Sequence, residues 1–343
     1  MFQKLARVLA LVTASAFFVA LSGTGPDVVS GQAQAMQPGK GKTVRPMGVG
    51  RPDHQIIYEA LFIGLEKLGY TVGEMQIGTY PTIHLSLGQG DADFTAVHWD
   101  GLHKAYYDKS GGDDTLMKLG PMYTEAMQAY YIDMATAKKH NITKMAQMKD
   151  PAIAKLFDSD GDGKANMTGC NPGWGCEKVI EHHLSAYKMR DHINHDKGQY
   201  FALMADTIAR MKEGKPVFFT VWAPNWILAV MRPGDNVSMV SVPFSSLPGK
   251  KDVNTELPDG RNPGFAANNN FVLVNKEFAA ANPAAAKFFE LFRFPIPELS
   301  AAMKRMSDEG KDSAKLKAIA ADWVKANQAK FDGWVAEAAK AGG

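Results

Sequence analysis

Cys170-Asn171-Pro172-Gly173-Trp174-Gly175-Cys176-Glu177 is the stretch whose reading decides the fold. It holds the only two cysteines of the chain, a tryptophan and three helix-breaking residues in a row. Lys178 to Arg190 reads as a helix, which puts Gly175 and Cys176 at its N-terminus. A helix start offers free backbone N–H groups and a partial positive charge, both suited to a carboxylate. Trp174 beside it offers a π-face, suited to a cation. One short loop therefore carries chemistry for both ends of a small zwitterion.

Outward from this loop, short apolar strands alternate with helical segments, which argues for α/β layers with largely parallel sheets. Helical periodicity runs over 55–68, 82–88, 101–107 and 200–213, with strands at 92–98, 128–133, 215–221, 238–242 and 271–274. Two places resemble each other. Phe94-Thr95-Ala96-Val97-His98-Trp99 leads into a helix carrying His103, and Phe218-Phe219-Thr220-Val221-Trp222 leads into one carrying Trp226. Ligands of open α/β sheets bind at the carboxyl ends of strands, where Trp99 and Trp222 stand. Three tryptophan faces around a quaternary ammonium suit it better than hydrogen-bond acceptors do, because that cation has no N–H to donate. Each face contributes ~0.5–2 kcal/mol. The same residues could instead fill a core, as large aromatics commonly do. Trp323 and Trp334, eleven residues apart in an Ala- and Lys-rich helical region, read as core.

The 343 residues are 45% apolar and 22% charged, with a formal charge of +2, so no basic field for nucleic acid is present. Lys4 and Arg7 precede the uncharged run Val8 to Leu21, which has the length and flanks of an export signal. Residues 1–35 are expected to be that signal, with Ala33-Gln34-Ala35 as a cleavage site and Ser22 to Thr24 as an alternative. In an exported protein, cysteines with five residues between them are expected to form one disulfide. So small a ring contributes about 2 kcal/mol. It is either a staple only or the element that holds Trp174 in one pose.

Other polar groups bear on metal binding and catalysis. Asp158, Asp160, Asp162 and Gly163 match positions of a calcium loop, and Asn166 falls at a later one. Gly169 stands where a bidentate Glu belongs, leaving a polar turn or a weak structural Ca²⁺ site. His182, His183, His192 and His195 have no zinc-motif spacing and read as a solvated helical face. His103 lies four residues after Trp99, on the same helical face, where its imidazole could donate to a carboxylate or simply cap or pack. No catalytic constellation is present. An exported metal-dependent enzyme built on the aspartate loop and the histidines is the reading from another class.

WxxxH at Trp99 to His103, DxDGDGKA at Asp158 to Ala165, TGCNPGWGCE at Thr168 to Glu177, GKPVF at Gly214 to Phe218 and WxPxW at Trp222 to Trp226 resemble the ProX-type glycine betaine-binding proteins. The resemblance covers nearly all of the chain after the expected signal. It implies a two-lobed type II periplasmic binding protein fold, each lobe a mostly parallel sheet flanked by helices. Lobe one would comprise 44–127 and 270–343 and lobe two 128–269, with hinges near Gln128 and Asn270. It also implies a monomer in the periplasm, neither an enzyme nor dependent on a cofactor. Such a protein hands a betaine-type ligand to an ABC transporter permease with its ATPase, and meets the membrane only through that permease. Carried over, Trp99, Trp174 and Trp222 would box the trimethylammonium group, and His103 with the N–H groups of Gly175 and Cys176 would hold the carboxylate. The chain departs from the pattern at Asp100-Gly101, where Thr-Pro is common, and at Asn225, where an aromatic is common. Asp100 could favour a cation without a carboxylate, such as choline; carnitine and sulfonium osmolytes are further alternatives.

Overall fold

The computed structural model describes residues 37–250 and 252–343; the export signal expected over 1–35 lies outside them. Two short parallel pairs open the fold. β1 (Thr43–Val44) pairs with β3 (Thr71–Val72), and β2 (Met47–Gly48) with β4 (Gln76–Ile77). Between them runs α1 (Pro52–Lys67), started by Pro52 and burying Ile56, Ile57, Ala60, Leu61 and Leu65. Thr79 caps α2 (Tyr80–Gln89), which stops at Gly90 in the left-handed region. β5 (Phe94–Trp99) is buried along its whole length and leads directly into α3 (Asp100–Lys109).

β6 (Leu116–Ala126) is the longest strand, and the periodicity does not predict it. Gly120 and Pro121 interrupt it, and only its partners explain its existence. It lies on one edge of an antiparallel sheet, β5-β12-β6, whose centre is β12 (Asn268–Asn275). Pro is tolerated there because an edge strand leaves N–H positions unpaired.

One residue, Met127, separates β6 from β7 (Gln128–Asp133), which belongs to a different sheet. After β7 come α4 (Met134–His140), α5 (Pro151–Ala154), β8 (Ala165–Thr168), α6 (Gly175–Ala186), β9 (Ile193–Asp196), α7 (Tyr200–Lys212), β10 (Phe218–Trp222) and β11 (Val237–Val240). The strands order as β11-β7-β10-β8-β9. β10, β8 and β9 run parallel, whereas β7 is antiparallel to both β10 and β11. The α/β architecture of sheets flanked by helices is therefore as expected, but the strands run in mixed directions. β7 and β12 are the strands at which the chain passes from one of these sheets to the other.

Five helices close the chain: α8 (Lys276–Ala281), α9 (Pro283–Leu291), α10 (Ile296–Glu309), α11 (Ser313–Ala326) and α12 (Gln328–Ala341). The last four pack back on α1, around Phe288, Phe292, Phe294 and Phe331. Trp323 stacks on Phe294 at 3.9 Å in the core role expected of it, whereas Trp334, which meets Phe292 at 5.8 Å, is only partly buried at the edge of that core. Among the described residues no helix is long and apolar enough to cross a membrane.

Candidate functional site

All six residues expected to hold a ligand line one cavity: Trp99, His103, Trp174, Gly175, Cys176 and Trp222. Arg51, Tyr80, Leu102 and Gln128 complete its wall. The two sheets supply it jointly. Trp99 ends β5 and His103 is on α3, while Trp222 ends β10 and Trp174 is the N-cap of α6. Trp174 and Trp222 meet edge to face, with centroids 5.9 Å apart. Tyr200 packs behind both, at 6.2 and 4.7 Å. These contacts fix the two ring planes against each other before any ligand arrives.

The start of helix α6 is equally specific. Helix α6 begins at Gly175, and no backbone carbonyl of the described residues accepts the N–H of Gly175 or Cys176. His103 Nδ1 accepts the Trp99 N–H at 3.2 Å, so the imidazole proton resides on Nε2. Burial, with His84, His98, His54 and Lys178 nearby, holds the His103 pKa well below its usual value. A neutral imidazole with Nε2–H free to donate results.

The loop that carries this helix start is braced from several sides. Cys170 and Cys176 form the expected disulfide, with Cα atoms 6.1 Å apart. Asn171 Oδ1 accepts the Tyr200 N–H at 2.9 Å, and His195 Nε2 accepts the Cys170 N–H at 3.2 Å. His195 Nδ1–H is turned to Glu181, 2.9 Å away. Tyr106 donates to the Gly173 carbonyl at 2.7 Å. The disulfide thus closes a loop already pinned at Asn171, and its reduction is expected to weaken ligand binding several-fold while costing about 2 kcal/mol of stability. Calorimetry with and without a phosphine reductant checks both; unchanged affinity would leave the bond as a staple.

Residues 42–326 match the family described as the substrate binding domain of the ABC-type glycine betaine transport system. The chain belongs to this family. It is 46% identical over 303 residues to a glycine betaine/proline betaine-binding periplasmic protein of Escherichia coli, covering 88% of this chain and 91% of that one. It is also 46% identical over 301 residues to the glycine betaine-binding periplasmic protein OusX of Dickeya dadantii, covering 87% and 90%. Among solved structures, lactococcal OpuAC in its closed form with glycine betaine superposes with a TM-score of 0.65 at 19% identity, covering 85% of this chain and 99% of that one. An ABC-transporter choline-binding protein with choline gives 0.67 at 18%, covering 87% and 97%. The fold is therefore that of the two-lobed periplasmic binding proteins. This substrate-binding domain is a binding component of transport, not an enzyme.

Several side chains of the domain depart from expectation. Asp100 does not face the cavity: its Oδ1 accepts from Lys118 Nζ at 2.8 Å and lies 3.6 Å from His98 Nε2. Asn225 is buried and caps the turn at Ile227 through Oδ1, 3.1 Å from its N–H. Neither is part of the cavity lining, and Gly101 borders a separate groove. The histidines read as a solvated face include two whose side chains are covered, because they anchor loops. His183 lies between the Tyr130 hydroxyl at 2.7 Å and the Ser246 carbonyl at 2.9 Å, and His195 holds the cysteine loop. His84, His98 and His103 form a buried group near the site, in which His84 Nε2 and His98 Nδ1 are 3.0 Å apart. His84 Nδ1 faces the Tyr80 carbonyl at 2.7 Å, so these nitrogens form a hydrogen-bonded chain from His98 to Tyr80.

In the aspartate loop, the carboxylates of Asp158, Asp160 and Asp162 converge within 4.8 Å. Asp158 also accepts the N–H groups of Gly161 and Gly163, at 2.6 and 3.0 Å. Asn166 turns its amide nitrogen, not its oxygen, toward Asp160 at 3.2 Å.

Sequence reasoning missed four residues of the wall, Arg51, Tyr80, Leu102 and Gln128, and of these Arg51 carries the charge. It stands alone in a Gly- and Pro-rich turn with no motif around it, and the structure brings it onto the aromatic wall.

Proposed function

We propose that this cavity captures glycine betaine or a related quaternary ammonium osmolyte, with Trp99, Trp174 and Trp222 around the cation. The Gly175 and Cys176 N–H groups and His103 Nε2–H hold the carboxylate. One observation carries the reading: three tryptophan rings and three unpaired N–H donors line a single cavity supplied from both sheets. The donor set favours a ligand with a carboxylate over choline, and Asp100, engaged with Lys118, offers choline no partner.

The two lobes are read as 44–127 with 270–343, and 128–269, closing on the ligand about hinges near Gln128 and Asn270. Supporting this, the chain leaves the antiparallel sheet at Met127 and rejoins it at Asn268. A ligand bound to groups of both lobes favours the closed form, which a permease with its ATPase recognises. The protein acts as a monomer in the periplasm, where its relatives are named as residing. The aspartate loop holds a structural Ca²⁺ weakly at most, since its carboxylates already accept backbone N–H groups; a melting temperature unmoved by EDTA would return it to a plain turn.

Tryptophan fluorescence and calorimetry with glycine betaine, proline betaine, choline and carnitine test the assignment. Betaines are expected to bind one to one and more tightly than choline. Absence of binding at millimolar concentration for all four would overturn it.

A further inference from the structure

Arg51 comes from the turn between β2 and α1, yet its guanidinium lies over aromatic rings of the other sheet. Its carbon is 5.0 Å from the Trp174 ring centroid and 5.1 Å from that of Trp222. Phe201, on α7, is a third ring at 5.1 Å. These distances are within the cation–π range of about 6 Å. The guanidinium therefore sits in the corner made by two of the three faces assigned to the ligand's ammonium.

The arrangement is built rather than incidental. Arg51 Nε donates to Asp53 Oδ1 at 3.0 Å, and Nη2 pairs with the other carboxylate oxygen. The Arg51 side chain is 10% exposed and that of Asp53 2%. Burial opposes the charge, but Asp53 and Tyr80 outweigh it and leave the guanidinium more basic than usual. Beside it the cavity is small, ≈ 30 Å³.

We propose that Arg51 is a resident cation of the aromatic box, which a ligand must displace from Trp174 and Trp222. The inference rests on the box assigned above. Two cations cannot share one corner in a site of low dielectric without strong repulsion. Binding is therefore an exchange of one cation for another. The exchange sets a threshold that depends on methylation. A primary ammonium is strongly hydrated and gives up more on entering the box, so it cannot replace a guanidinium that is itself weakly hydrated. A quaternary ammonium carries little hydration at its methyl surface and can. Arg51 thereby lowers affinity for every cation and excludes the undermethylated ones. It also ties a turn of one sheet to rings of the other, the bridging that the ligand otherwise supplies.

The test compares wild type with Arg51→Met, Arg51→Lys and the double variant Arg51→Met/Asp53→Asn, the last because removing Arg51 alone leaves Asp53 buried without its partner. Calorimetry is run with glycine betaine and with dimethylglycine, and emission spectra are recorded without ligand. Arg51→Met or the double variant is expected to bind glycine betaine about tenfold tighter, which is about 1.4 kcal/mol. Dimethylglycine should gain at least as much. Arg51→Lys, which keeps a cation at the rings, should stay near wild type. The tryptophan emission of the free Met variants should shift, since the charge over Trp174 and Trp222 is gone. Equal or weaker betaine binding by both Met variants overturns the resident-cation inference and leaves the box intact. Binding by none of the four proteins, with the emission shift present, overturns the box and this inference with it.

Discussion

Gly175→Ala is expected to lower affinity for glycine betaine by about 10- to 100-fold, with little change in the stability of the unliganded protein. A Cβ built on Gly175 would lie 2.8 Å from both Cβ and the carbonyl oxygen of Leu102, closer than such atoms approach. Leu102 is on α3 and Gly175 opens α6, so the methyl group would wedge apart the elements that carry His103 and the N–H groups of Gly175 and Cys176. Overpacking of this kind costs about 1–3 kcal/mol, and each 1.4 kcal/mol is about tenfold in affinity. On the closure proposed above, the cost falls on the closed form. Alanine is itself favourable at the first position of a helix, so the open protein has no reason to lose stability. Leu102→Ala should not rescue the variant, because the backbone carbonyl obstructs as much as the side chain does. Wild-type affinity in Gly175→Ala would show that ligand capture does not need α3 and α6 this close.

The same pair of residues shows what the sequence could and could not reveal. That Gly175 and Cys176 open a helix beside a tryptophan is local chemistry, written in eight consecutive residues. That Trp99 and Trp222 stand at strand ends follows from the apolar runs before them. Arg51 was invisible by contrast, because its meaning comes from rings 123 and 171 residues downstream, and no periodicity marks a lone arginine in a turn. β6 was missed for a related reason: Gly120-Pro121 disrupts its alternation, and pairing with β12, distant in sequence, is what makes it a strand. Strand direction is likewise a property of partners. Val-rich runs announce buried strands, but that β12 is antiparallel to both neighbours shows only in its pairing with β5 and β6. His183 read as surface because charged residues surround it. Tyr130 and the Ser246 carbonyl, remote in sequence, make its burial tolerable.

Buried histidines should make this protein unusually acid-labile. His54, His84 and His183 are held neutral, chiefly by burial, with pKa values lowered to about 3, about 4 and about 4. Arg51 adds to the effect at His54, and His98 at His84. In the unfolded chain each returns to a pKa of about 6.5. Below that value the unfolded state binds more protons than the folded one, so stability falls as pH falls, and it is fully present only above pH ~6.5. The loss continues down to the folded pKa of each group. At pH 5 it amounts to about 2 kcal/mol per histidine, and the three together reach about 6 kcal/mol, much of a typical stability of roughly 5–15 kcal/mol. Protonation of His183 or His84 also rearranges a buried hydrogen bond. Protonating His183 Nδ1 requires Tyr130 to rotate its hydroxyl proton away, and protonating His84 Nε2 requires His98 to move its proton from Nδ1 to Nε2. Urea unfolding between pH 7.5 and 5 should show midpoints falling steeply below pH 6.5, with a slope of several protons per molecule. His183→Gln should reduce that slope by about one proton even if it lowers stability at neutral pH. A midpoint that stays level from pH 6.5 to 5 would mean that these histidines are hydrated or paired with anions in solution, and the neutral form assigned to His103 beside the carboxylate seat would fall with them.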